Sequence, residues 1–336
     1  MNRQRSLTAF ARAFAVAGLI AGTGVATMFA SSAQAADPWP NKPITVIVPF
    51  PAGGGTDAFA RPLTAQLSKQ LGKQFVIDNR GGAGGTVGAS IASKAAPDGY
   101  TLFIGGAHHA IAPSFYKKLD YDIEKDFIPI TVIAQPPQVV VVNPTKVQAA
   151  NLKDLVAYAK AHPGQLNYAS AGNGSAHHLA GELFKLQTQT NLTHVPYKGA
   201  GPALSDLMAG QVDLMFDGLG SSSQHIRGGR IKALAVASKT RSAAFPNVPT
   251  TAEAGLPNYE VSTWYALWAP KGTPKEIVDR LYAETTKALN SPEMKAIWLQ
   301  NGSDIPQYTQ EQFAQFQRAE IKRWADVVQR SGAKID

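Results

Sequence analysis

The sequence predicts an α/β protein of two domains. Three observations carry this: its length, its ordinary globular composition, and a repeated alternation of short β-branched runs with helical patterns. At roughly 150 residues per domain, 336 residues suit two domains, each long enough to bury a core. A hydrophobic share of 44% against 17% charged excludes a disordered or collagen-like chain. The absence of cysteine excludes a disulfide scaffold, a zinc finger, a cysteine nucleophile and a lipidated N-terminal cysteine.

At the N-terminus Arg3, Arg5 and Arg12 precede an apolar run from Ala13 to Ala30, and Ala33-Gln34-Ala35 follows. This order reads as a secretory signal peptide over residues 1–35 with an Ala-x-Ala cleavage site. Gly18, Gly22 and Gly24 make the run a poor spanning helix. Cleavage would leave 301 residues and lower the net charge from +8 to +5, which removes support for nucleic-acid binding. With no cysteine to lipidate, the expected mature chain is free in the periplasm.

In the mature chain Ile44 to Val48 is a buried-strand run, and the loop Pro49 to Gly55 follows. Thr56 is placed to cap a helix with Leu63, Leu67 and Leu71 on one face, interrupted by Pro62. Phe75 to Asp78 is a second strand, leading to a glycine-rich loop and a small-residue helix up to Ala96. Asp98-Gly99 turns the chain into Tyr100 to Ile104. Strands alternating with helices predict a parallel sheet covered on both faces.

A second series repeats the logic. Val139 to Val142 is a strand, Asn151 caps a helix stopped by Pro163-Gly164, and Leu166 to Ala169 is the next strand. That strand delivers Ser170 to Ser175 to a helix carrying Leu179, Leu183 and Leu186. His194 to Gly199 leads to a helix begun by Pro202 and ended by Gly210, and Val212 to Phe216 delivers Asp217-Gly218. Ala233 to Ala237 is another strand. The C-terminal part is helical, with starts at Thr273-Pro274, Ser291-Pro292 and a Thr309/Gln312 capping box, and with Ile321, Trp324 and Val328 buried. The sequence has no repeat of fixed period.

Two glycine-rich loops that end a strand and open a helix are the main chemical feature. A helix start carries unpaired N–H groups and a positive dipole end, and glycine lets backbone approach a ligand. Gly53-Gly54-Gly55-Thr56 and Ser170 to Ser175 are therefore anion-binding candidates, although the same glycines also serve tight turns. Nucleotide motifs fail: Val87 stands where G-x-G-x-x-G needs its last glycine, and no phosphate-loop motif occurs. His108-His109 and His177-His178 match no zinc spacing. The first pair either lines a pocket at a strand end or sits in solvent; in the second, at most one faces a ligand. Asp217 either accepts a hydrogen bond from a ligand or caps a turn, and Lys198 is either a pocket cation or an exposed lysine.

Several ordered motifs then carry a resemblance. Trp39-Pro40-x-Lys42-Pro43-Ile44, Val48-Pro49-Phe50-Pro51-Ala52-Gly53-Gly54-x-Thr56-Asp57 and Val76-x-Asp78-Asn79-Arg80-x-Gly82-Ala83-Gly84-Gly85 are three of them. Pro97 to Leu102, Tyr168 to Ser175, Val195 to Gly199 and Val212 to Asp217 continue the series. The chain resembles the tripartite tricarboxylate transporter substrate-binding proteins, the Bug receptors, over essentially all of its expected mature length. The resemblance implies a periplasmic binding protein fold of the type II kind, each lobe a βαβ sheet covered by helices, with a ligand cleft between. It places residues 36–138 and 264–336 in one lobe and 139–263 in the other, with crossings near Ile133 to Val142 and Tyr259 to Leu267.

That resemblance also implies a site with Phe50, Ala52, Gly53, Gly54, Thr56 and Asp57 from one half of the chain, to which the strand-end position adds His108. Ser170, Gly172, Asn173, Gly174 and Ser175 come from the other, with Tyr197, Lys198, Gly199 and Asp217. The expected ligand is a small carboxylate, the expected partner a membrane permease, and the protein is expected to be a monomer with no cofactor, metal or catalytic residue. The stretch Gly106 to Pro113 departs from the family pattern, as does Gly218, so ligand identity does not carry over. Two alternatives stay open: an exported hydrolase using Ser175, a histidine and Asp217, and a binding protein feeding a sensor.

Overall fold

The computed structural model describes residues 39–333, so the expected signal peptide lies outside the described residues. The chain begins β1 (Ile44–Val48), α1 (Gly55–Leu71), β2 (Phe75–Asn79), α2 (Thr86–Ser93), β3 (Thr101–Gly106), α3 (His108–Phe115) and β4 (Phe127–Ala134). It continues β5 (Gln138–Val142), α4 (Leu152–Ala161), β6 (Asn167–Ser170), α5 (Ala176–Thr188), β7 (Thr193–Pro196), α6 (Ala200–Ala209), β8 (Leu214–Gly218), α7 (Leu219–Arg227) and β9 (Lys232–Val236). It ends with β10 (Tyr265–Pro270), α8 (Lys275–Leu289), α9 (Pro292–Gln300) and α10 (Gln310–Ser331).

Two five-stranded sheets result, in the orders β2-β1-β3-β10-β4 and β7-β6-β8-β5-β9. In each, three parallel strands joined by helices are followed by one strand that runs antiparallel to both of its neighbours. That antiparallel strand, β10 or β5, enters directly from the other sheet, which reverses its direction. The sheets are thus mixed where the alternation predicted parallel ones. The two orders match position for position, a structural repeat that no fixed sequence period announces.

The chain passes from the first sheet to the second between Ala134 and Gln138 and comes back before Tyr265. The two passages pair with one another: Gln138 donates its N–H to the Val261 carbonyl at 3.0 Å, and Thr263 donates to Pro136 at 3.2 Å. The connection between lobes is therefore a short antiparallel ribbon rather than a single linker.

Local signals account for most helix ends. Asn151, Ser291 and the reciprocal Thr309/Gln312 pair cap α4, α9 and α10 as their residue types predict. Three starts differ. Gly54, not Thr56, is the N-cap of α1, which continues through Pro62. Helix α8 begins after Pro274 without a side-chain cap, and α6 begins at Ala200, two residues before Pro202. Strand β4 was hidden by Pro129; it lies at a sheet edge, where a missing N–H costs least.

The C-terminal helices pack mainly on the first lobe, with α10 against α3 and β4, and α10 also reaches α5 of the second. Trp324 is fully buried, with Ile321 and Val328 half-buried. Glu320 accepts hydrogen bonds from the indoles of Trp264 (2.9 Å) and Trp324 (3.2 Å), while Gln317 accepts from Trp268 (2.9 Å). These acceptors let three large apolar rings be buried with their N–H groups satisfied. Replacing Glu320 by Ala strands two buried donors. The expected loss is about 2–4 kcal/mol of unfolding free energy by urea titration, with binding preserved.

Candidate functional site

The parallel strands of both sheets send their C-terminal ends toward the same crevice, where ligands of α/β proteins bind. The pocket there is narrow, about 20 Å³, and draws its walls from both lobes. Gly54, Gly55 and Thr56 from the start of α1 and His108 from the start of α3 line one side. Ser175, Ala176 and His177 from the start of α5 and Ala200 from the start of α6 line the other. Four helix N-termini therefore converge, each with unpaired first-turn N–H groups and a positive dipole end. Phe50, Ala171, Thr263 and Tyr265 complete the wall, and among the described residues no lysine or arginine lines it.

The lining histidines His108 and His177 are buried, as is His109 behind the wall, so of the two readings open for His108 and His109 the solvated one falls away. His108 packs edge-on against Phe50 at 4.7 Å and lies 4.0 Å from the His109 ring. Burial first, and His177 second, lower its pKa to about 3. His109 sits behind it, its Nδ1 3.0 Å from the Tyr121 hydroxyl. His177 Nε2 lies 3.2 Å from Asp217 Oδ1, and burial lowers the His177 pKa more than Asp217 raises it. His108 Nε2 and His177 Nδ1 are buried without a hydrogen-bond partner. His178 points elsewhere, stacking on His194 at 4.0 Å and accepting the Gly174 N–H at Nδ1.

The remaining predicted residues divide. Phe50, Gly54, Thr56, His108 and Ser175 line the pocket. Asp57 does not; it accepts from Gly53 N–H (3.1 Å) and Arg61 (2.7 Å) and so braces the glycine loop from behind. Ser170 binds Gly172 N–H and His194, and shapes its own loop. Asp217 is fully buried and is held by the hydroxyls of Ser221 and Ser222, so it reaches the pocket only through His177. Tyr197 donates to Asp206; burial first, and Asp206 second, push its pKa up to about 12, and Lys198 is exposed. His177, Tyr265 and Thr263 were missed; the two from the returning passage carry no local motif that marks them.

Ala52, Gly53, Asn173, Gly174 and Gly199 lie where the lobes touch. A Cβ on Gly201 would stand 2.9 Å from the Ala52 carbonyl oxygen, and one on Gly84 would stand 2.5 Å from that of Asn173. That Asn173 carbonyl accepts from the Tyr116 hydroxyl at 2.8 Å. Gly174 backs onto Phe115 and Gly199 onto Pro51. Ser175 Oγ caps α5 by accepting from His178 N–H, and His177 Nδ1 is not bonded to it.

The family model described as tripartite tricarboxylate transporter family receptor matches residues 59–333. The chain belongs to this receptor family. It is 39% identical to BugT of Bordetella pertussis over 94% of this chain and 97% of that protein. A Rhodopseudomonas palustris structure with adipate superposes with a TM-score of 0.86 at 38% identity, covering 88% of this receptor and 100% of that chain. MatC from Rhodopseudomonas palustris with bound malate superposes at 0.82 and 37% identity, covering 86% and 100%. The Bug-type assignment made from the motifs, and the two-lobed binding-protein fold, both stand.

Acid should unfold this receptor early. A free imidazole protonates near pH 6.5, whereas buried His108 is held down to about 3. Between those values the unfolded chain binds the extra proton. Stability from this residue is therefore complete above pH 6.5 and is lost as pH falls toward 3, at about 1.4 kcal/mol per pH unit. Melting temperature measured from pH 7 to 4 should drop, and the drop should be shallower in His108→Phe.

Proposed function

We propose that this receptor captures a small carboxylate in the interlobe cleft and hands it to a membrane permease of the tripartite tricarboxylate type. The convergence of four helix N-termini on a pocket without a cationic side chain carries the reading. Amide donors aimed at one point suit a carboxylate, each bond contributing roughly 1.5–3 kcal/mol and each helix end about 0.3–1 kcal/mol more. The relatives solved with adipate and with malate support the same ligand class. In this reading the lobes, 36–138 with 264–336 and 139–263, part at the two-stranded ribbon to admit the ligand. They close again as it bridges α1 and α5. The protein works as a monomer in the periplasm after loss of residues 1–35, with no cofactor.

Among the predicted residues, Phe50, Gly54, Thr56, His108 and Ser175 contact the ligand. Ala52, Gly53, Asn173, Gly174 and Gly199 set the fit between lobes. Asp57, Ser170, Gly172 and Asp217 hold those parts in place, and Tyr197 and Lys198 stand outside the pocket.

Calorimetry with succinate, malate, adipate and benzoate tests the reading. One-to-one binding of at least one acid is expected, with about 2.7 kcal/mol of stabilisation at a hundredfold excess over Kd. A Cβ at Gly54 would stand 3.5 Å from that of Ala200 in the other lobe, so a β-branched side chain there props the cleft open. Gly54→Val should lose binding and keep its melting temperature without ligand. Acids that neither bind nor stabilise the wild type would refute the proposal.

A further inference from the structure

We propose that the receptor takes up one proton with each carboxylate it captures, and that the proton lodges on Nδ1 of His177, between the ligand and Asp217. This rests on the carboxylate reading above and adds a specific role for two residues that no nucleotide or metal motif explains.

The geometry assigns the hydrogens. Asp217 offers only acceptors to His177, and Ser221 and Ser222 already donate to its oxygens. The ring nitrogen 3.2 Å away, Nε2, therefore carries the proton of the neutral imidazole, and Nδ1 carries a lone pair. That lone pair belongs to a ring in the pocket wall, is buried, and has no partner. A carboxylate oxygen arriving there meets a second acceptor, and two acceptors in contact repel. One proton from the solvent resolves this: Nδ1–H then donates to the ligand while Nε2–H still donates to Asp217. The imidazolium lies between two carboxylates, and an opposite charge at such range raises proton affinity by about ten- to a thousandfold.

Every titratable group facing His177 favours a single proton there. Burial and Asp217 oppose one another at His177 in the unliganded protein, burial being the stronger, so the ring stays neutral until an anion enters. His108, from α3 of the opposite lobe, is lowered to about 3 by burial and by His177 itself, so it remains a neutral hydrogen-bonding ring. Tyr265 on β10 is raised by burial and by Asp217, and stays protonated. His225 on α7 also senses Asp217 but is lowered, mainly by burial. Since no lysine or arginine lines the pocket among the described residues, this proton is the one full positive charge the site can set against an anion.

The test is titration calorimetry of whichever of succinate, malate, adipate and benzoate binds, run at pH 7.5 in phosphate and in Tris, whose ionisation enthalpies differ. Proton uptake near one per site is expected, with Kd rising about tenfold per pH unit. His177→Gln keeps a hydrogen-bonding side chain and cannot take the proton, so its uptake should fall to zero and its Kd should become independent of pH. His225→Gln, at a ring outside the pocket lining, should still take up one proton. Wild-type binding with no proton uptake overturns the proposal and leaves the receptor reading intact, and uptake that persists in His177→Gln overturns it too. Failure of all four acids to bind overturns the receptor reading itself. Should His177→Gln not fold, the wild-type uptake and its persistence in His225→Gln decide.

Discussion

Four helices aim their positive ends into one narrow space, and much of this molecule follows from having to hold them there. Such ends repel one another and carry amides without partners, an arrangement that costs stability unless an anion occupies the point where they meet. The fold meets the constraint by mounting two of the four on each lobe. Strong neighbours fix each terminus from behind: Asp57 ties the glycine loop to Arg61 and Gly53, and Ser170 ties the opposite loop to His194. The negative groups nearest the pocket serve as braces rather than as competitors for the site.

The same constraint explains why the chain crosses between lobes twice. A single linker would let the two pairs of helix ends drift in any direction. The ribbon formed by Gln138 with Val261 and Thr263 with Pro136 ties the two sheets together at adjacent points. Its continuations, β5 and β10, are inner strands of their sheets, so ribbon and sheet are one piece. Helix α10, packed on α3 and reaching α5, adds a third contact on the side of the buried tryptophans.

Much of this was legible in the sequence because local rules produce it. Strand–loop–helix units with β-branched runs and glycine loops appear where read, and the cap of α9 and the Thr309/Gln312 box form as their residues dictate. Illegible parts depend on the other lobe. Strand β10 contributes Tyr265 to the pocket, yet nothing within its own residues indicates which sheet it joins or in which direction. Serine-rich α7 was not foreseen; two of its hydroxyls bind Asp217 and a third returns to the Leu219 carbonyl, so they no longer compete with the helix. The histidines were visible, and their burial was not, because it comes from long-range packing such as that of His108 on Phe50 and of His109 on Trp268.

Part of the contact between the lobes is built from backbone. Where the lobes touch, Gly201 meets the Ala52 carbonyl and Gly84 meets that of Asn173, so even a methyl group would hold the walls apart. Side chains meet there too, Phe59 against Gly220 and Leu219 against Gly302. A closed state too stable by itself would exclude a ligand. The balance then shifts by whatever differential affinity the ligand has for the closed form. In the proposed mode, bonds from amides on both lobes at once would supply that difference, because no open arrangement can make them together.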